Sequence, residues 1–122
     1  MTIKRYTVPL TTDSGGDATG FTPVFSGRIS QIRYVKNDFD NGVDFNVTAE
    51  TTGETIWAEE NVNASATRAP RQLAYTTAGV AVLYAATFGV YDVPIVVAAD
   101  RVKIVVAQGG NVKSGTVYVV TE

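Results

Sequence analysis

Residues 42–50 read GVDFNVTAE, and they alternate without a fault. Val43, Phe45, Val47 and Ala49 fall on one side of an extended chain, and Asp44, Asn46, Thr48 and Glu50 on the other. A period of two is the mark of a β-strand with one buried and one wetted face. TTGE at 51–54 then reads as a turn and TIWAEENV at 55–62 as the returning strand, which makes a hairpin. The fold class follows from this unit, because the same signal recurs along the chain and no long segment of helical period competes with it.

DRVKIVVAQ (100–108) and SGTVYVVTE (114–122) are two β-branched runs joined by GGNVK, and they read as a second hairpin. IKRYTVPL (3–10) reads as the first strand, with Pro9 marking a sheet edge or a strand exit. SGRISQIRYVK (26–36) also reads as a strand, but Ile32 and Tyr34 share a face while Ile29 falls on the other. A β-bulge near Ser30 would reconcile them. TTDSGGDATGFTP (11–23) reads as a polar, Gly-rich loop, mobile or held only by a partner. Residues 61–78 lack periodicity and read as a long connection across the domain. GVAVLYAAT (79–87) fits either a strand or a short helical turn, and PIVVAA (94–99) a short strand. About seven short strands with turn signals between them predict one all-β domain spanning 1–122, a small antiparallel sandwich or barrel.

Composition narrows the chemistry. The chain has 122 residues, 45% of them hydrophobic and 18% charged, which supplies a core for one domain. It contains no histidine and no cysteine, so the commonest general base, the commonest metal ligand and any disulfide framework are missing. A net charge of −2 gives no electrostatic footprint for nucleic acid or an anionic membrane. The apolar window 78–99 is interrupted by Gly79, Gly89, Asp92 and Pro94, whereas a spanning helix needs ~20 unbroken apolar residues. The start, MTIKRYTVPL, lacks the apolar run of a signal peptide.

NDFDNGVDF (37–45) raises the question of a calcium loop. Counted from Asp38, an EF-hand needs Gly at its sixth position and Glu at its twelfth; Gly42 comes one place too early and the twelfth residue is Ala49. The better reading is a turn in which Asn41-Gly42 takes positive φ, with Asp38 and Asp40 as solvated charges. No metal and no cofactor is expected. Glu59 and Glu60 are adjacent, so on a strand they point to opposite faces and do not form a catalytic pair. SGG (14–16) and QGG (108–110) match no phosphate-binding loop and read as turns. The sequons at Asn46 and Asn63 are read as chance without a secretion signal. No nucleophile–base pair can be nominated, so no enzyme activity is expected.

What remains is contact chemistry. Arg68 and Arg71 flank Pro70 in TRAPR; the ordinary reading is two solvated charges, the functional one a docking contact through bidentate guanidinium forks. Tyr75, Leu83, Tyr84, Phe88 and Tyr91 follow in a stretch poor in charge. A small sandwich has limited room to bury all of them, and Arg beside Tyr is the composition of interface hot spots. These seven residues are the candidate subunit or shell contacts of a homo-oligomer, a dimer or a trimer.

The segments IKRYTV, GRISQIRYVKNDF, GVDFNVTAETTGETIW, NVNASATRAPR, AGVAVLYAA and DRVKIVVAQGGNVKSGT, which run through most of the chain, resemble small accessory virion proteins of tailed bacteriophages and prophages, of the capsid decoration or cement type. None of these segments is a catalytic motif. The resemblance implies a β-structured protein bound in many copies to a shell or tail, without enzyme activity or cofactor. Its partner would be the major capsid protein or another virion protein. Its place would be the virion, on the outer surface of the head, after synthesis in the cytoplasm of the bacterial host. The alternative is a tail, neck or fibre component with a receptor- or carbohydrate-binding role, in which the aromatics would stack on sugars.

Overall fold

The computed structural model describes residues 2–81 and 92–122, and among these there are ten strands and no helix. They are β1 (Lys4–Thr11), β2 (Ala18–Phe21), β3 (Phe25–Lys36), β4 (Asp44–Ala49), β5 (Thr55–Glu59), β6 (Ala66–Arg68), β7 (Arg71–Leu73), β8 (Asp92–Asp100), β9 (Val102–Ala107) and β10 (Ser114–Thr121). All pairings are antiparallel. One sheet has six strands in the order β1-β10-β3-β8-β7, with β6 also on β3; the other has four, in the order β2-β9-β4-β5. The architecture is a sandwich, not a closed barrel.

The alternation that defines β4 places Val43, Phe45, Val47 and Ala49 in the core. They are joined on the same sheet by Val102, Ile104 and Val106 of β9. Val8 and Leu10 of β1, Ile29, Ile32 and Tyr34 of β3, and Val117 and Val119 of β10 face them from the other sheet. Burying each such side chain contributes about 1.5–3 kcal/mol, which is why two half-apolar sheets close on one another.

The bulge expected near Ser30 is present. Val120 pairs with Gln31 but Thr121 pairs with Ile29, so Ser30 has no opposite number. The extra residue turns Ile29 to the same side as Ile32 and Tyr34, and all three are fully buried. A second shift, from Val47–Trp57 to Thr48–Thr55, leaves Ile56 unpaired and lets both Ile56 and Trp57 reach the core. β1 lies at the end of its sheet, in keeping with Pro9.

Three expectations are corrected. First, β9 and β10 are not a hairpin: β9 is a central strand of the four-stranded sheet and β10 of the six-stranded one. Residues 108–113 cross between the sheets, with Gln108 at φ 58°, Gly110 at φ 97° and Val112 at φ 50°. Alternation says which face of a strand is buried but not which sheet holds it, and two runs facing each other across a core carry the same pattern as two neighbours. Second, the 11–23 segment is held by its own chain. The Asp13 carboxylate accepts from the amides of Gly15 (2.9 Å) and Asp17 (3.0 Å), β2 pairs with β9, and the buried Thr22 hydroxyl accepts from Val102 N (2.9 Å). Third, the long connection at 61–78 contains β6 and β7, which pair with β3 and β8.

Tyr75 and Ala81 form an isolated bridge around a turn in which Thr76 N donates to Val80 O (2.8 Å) and Gly79 takes φ 79°. The reading of 79–87 as a strand or helical turn otherwise lies outside the described residues, as do the candidate contacts Leu83, Tyr84, Phe88 and Tyr91.

Candidate interaction surfaces

The Asp-rich segment 37–45 is a knot between loops. Phe39 is buried, with its ring centroid 6.1 Å from that of Tyr34 and 6.5 Å from that of Phe45. Gly42 takes φ 91°, as the turn reading requires, and its amide donates to Asn63 Oδ1 (2.7 Å). Asp38 is more than a solvated charge. Its carboxylate accepts from Ser114 N (2.6 Å) and Ser114 Oγ (3.1 Å), tying the loop to the start of β10. The Ser114 amide holds the Asp38 carboxyl below its ordinary range. Asp44 accepts from Asn61 N and from Gln108 Nε2, both at 3.0 Å. The Asp38 and Asp44 carboxylates are thus taken up by protein donors at three separate places in the chain, Ser114, Asn61 and Gln108. Among the described residues no three metal-ligating side chains converge.

Arg68 makes the bidentate fork expected of a guanidinium, but with its own chain. Its Nε and Nη2 donate to the two oxygens of Glu59 at 2.8 and 2.9 Å, and Trp57 Nε1 donates to Glu59 Oε1 at 3.1 Å. The Arg68 guanidinium holds the Glu59 carboxyl below the usual range. Both side chains remain partly exposed, so the pair contributes at most about 1 kcal/mol. Arg71 Nη1 donates to the carbonyls of Pro70 (2.7 Å) and Ser30 (3.1 Å), at the bulge. Tyr75 is 57% exposed on its own hairpin. Among the described candidates, Arg68 and Arg71 lie at the two ends of the Ala69–Pro70 link, and Tyr75 stands beyond β7.

No protein-family model matches the chain, and no curated protein does. Among solved structures it is similar to a chain in a cryo-EM structure of a virus-like particle of the extra small virus of the giant freshwater prawn Macrobrachium rosenbergii. The identity is 11%, the match covers 99% of this chain and 79% of that one, and the TM-score is 0.38. A likeness that loose carries no argument about fold or role.

Two shallow depressions mark the outer faces of the sandwich. One, of about 540 Å3, lies on the four-stranded sheet among Asp44, Phe45, Asn46, Thr55, Ala58, Glu59, Glu60, Val105 and Ala107. The other, of about 430 Å3, lies on the six-stranded sheet among Arg5, Gln31, Arg33, Val35, Tyr118 and Val120. The Arg5 guanidinium sits 5.0 Å from the centre of the Tyr118 ring, and Tyr118 pairs with Arg33 across the ladder. Both depressions are open to solvent and lined by side chains suited to ion pairs and apolar contact.

Sequence reasoning passed over Arg5 and Arg33. A signal was available: Arg33 stands between the inward Ile32 and Tyr34, and Arg5 has the opposite parity to the inward Val8 and Leu10. Their shared face depends on the β1-β10-β3 order, which no local pattern encodes.

Proposed function

We propose that this chain is a structural protein of a bacteriophage virion, a decoration or cement protein that binds the outer surface of the head and clamps neighbouring subunits of the major capsid protein. The resemblance of its sequence segments to accessory virion proteins supports the reading. The observation that carries it on the molecular side is the pair of broad, solvent-facing sheet surfaces with open depressions, which suit protein contact. In this role the chain performs no catalytic step and takes no cofactor. Repeated weak contacts to a symmetric shell give strong retention through multivalency.

The test is the copy number of the chain in purified particles, by quantitative mass spectrometry against the major capsid protein. On the order of hundreds of copies are expected of a protein that decorates every symmetry-related site. A handful to dozens would replace the clamp with a tail, neck or fibre component, and complete absence from particles would end the virion reading.

A further inference from the structure

The depressions on the two outer faces of the sandwich are lined by opposite charge. The depression on the six-stranded sheet is lined by two arginines and no carboxylate, and the one on the four-stranded sheet by Asp44, Glu60 and Glu59, of which Glu59 is forked to Arg68 while Lys103 pairs with Thr48 outside the lining. The ion pairs within the fold join Arg68 to Glu59 and Arg101 to Glu50, so neither Arg5 nor Arg33 is neutralised by any described carboxylate. The residues outside the description contain no acidic side chain and cannot supply one. Glu60 likewise is exposed and pairs with no base among the described residues. The net charge of −2 does not reveal this arrangement, because it sums ten bases and twelve acids over the whole chain.

We infer that copies of this chain associate head to tail, with the Arg5–Arg33 face of one copy seated on the Asp44–Glu60 face of the next. Two arginine faces repel each other, as do two carboxylate faces, so like does not meet like and a two-fold dimer through either face is disfavoured. The contact is heterologous, and repetition of a heterologous contact builds a ring or an open array. Arg5 and Arg33 stand two strands apart, roughly 10 Å across the sheet. Arg5 is pre-ordered over Tyr118, which lowers the entropy lost on docking. Val35, 37% exposed, supplies apolar contact beside the charges. Four strands of about six residues cover roughly 400 Å2, about half of a standard interface per partner. The single contact is therefore weak, in the micromolar range or above, and sensitive to salt. The inference concerns the isolated chain, so its failure would leave the virion role untouched.

The experiment is sedimentation velocity on the purified chain over a concentration series up to about 200 µM, at low and at high ionic strength. Wild type should sediment faster with concentration at low salt and return to monomer at high salt. Arg5→Glu with Arg33→Glu should weaken association at least about tenfold, as should Glu60→Arg, since each change opposes like charges across the contact. A one-to-one mixture of the two variants should associate again, because each then offers the face the other needs. Arg5→Gln with Arg33→Gln, which keeps side-chain length and removes charge, should also lose association. Monomeric wild type at low salt, glutamine variants that associate like wild type, or folded charge-reversal variants whose mixture stays monomeric would each overturn the inference.

Discussion

Tyr34 offers the sharpest test of the packing. Its side chain is fully buried between Phe39 and Phe45, and its hydroxyl has no hydrogen-bond partner among the described residues. A buried hydroxyl without a partner costs about 1–3 kcal/mol relative to an apolar group of the same shape. Tyr34→Phe removes that cost and leaves a void on the order of 10 Å3, worth about 0.2 kcal/mol at 24 cal/mol per Å3. The variant should therefore be more stable by about 1–2 kcal/mol, or about 4–8 °C in Tm for a domain of this size. Urea denaturation followed by Trp57 fluorescence reads this directly, because Trp57 is the only tryptophan and is 8% exposed in the folded chain. The midpoint should rise with no change in m. Alkaline titration gives a second reading. Burial pushes the Tyr34 phenol from 10.0 up to about 12. A group whose folded pKa is raised contributes stability that is complete below the unfolded value and is lost as pH climbs through the folded one. Wild type should lose this contribution between about pH 10 and 12, and Tyr34→Phe should not. A variant less stable than wild type by more than about 1 kcal/mol would refute the reasoning and show that the hydroxyl has a partner, such as a trapped water.

Three further outcomes are expected. A Cβ at Gly115 would lie 2.6 Å from Phe39 Cε2 and 2.8 Å from Cδ2, so Gly115→Ala should cost about 1–3 kcal/mol, and an unchanged urea midpoint would contradict the packing. Val112 is β-branched, 63% exposed and held at φ 50°, so Val112→Asn should add roughly 1 kcal/mol of stability by relieving backbone strain; a lower Tm would argue against that conformation. At acid pH the signs reverse. Ser114 holds Asp38 low, and Arg68 holds Glu59 low; at Asp100 burial pushes upward, but the Arg101 and Thr51 donors outweigh it. Depressed carboxyls contribute stability above the unfolded range, lost as pH falls through the folded values, so Tm should hold from about pH 7 to 5 and drop below about 4. An acid-independent Tm would remove those roles.

Much of the fold was legible where one face is buried and the other wet. The β4 alternation, the β4–β5 hairpin and the Ser30 bulge all follow from which residues must reach the core, and that demand is local in sequence. The crossing between β9 and β10 was not legible, because it is decided by what each strand pairs with: β9 with β2 and β4, β10 with β1 and β3. A hint was present in the length of the link. Residues 108–113 exceed the two-residue turns that favour hairpins, and they are fastened from outside, with Gly109 N donating to Gly16 O (2.9 Å) and Thr12 Oγ1 to Gly110 O (2.7 Å). Those fasteners are nearly a chain length away, beyond the reach of any window-based reading.

The same distinction separates what was and was not visible of the interaction surfaces. TRAPR drew notice because its arginines flank a proline, yet Arg68 is already forked to Glu59. A guanidinium with an internal carboxylate must break one ion pair to make another, so its net contribution to an external contact is small. Among the described residues Arg5 and Arg33 have no such competitor, and they lie in strands that read simply as strands. Rigid β-structure also fixes their spacing, which a loop arginine would have to order on binding. In the inferred contact the stronger anchor is therefore the charge that strand parity turns outward and that has no counter-ion among the described residues. That criterion requires sheet order as well as sequence, because only the sheet order brings β1, β10 and β3 onto one face.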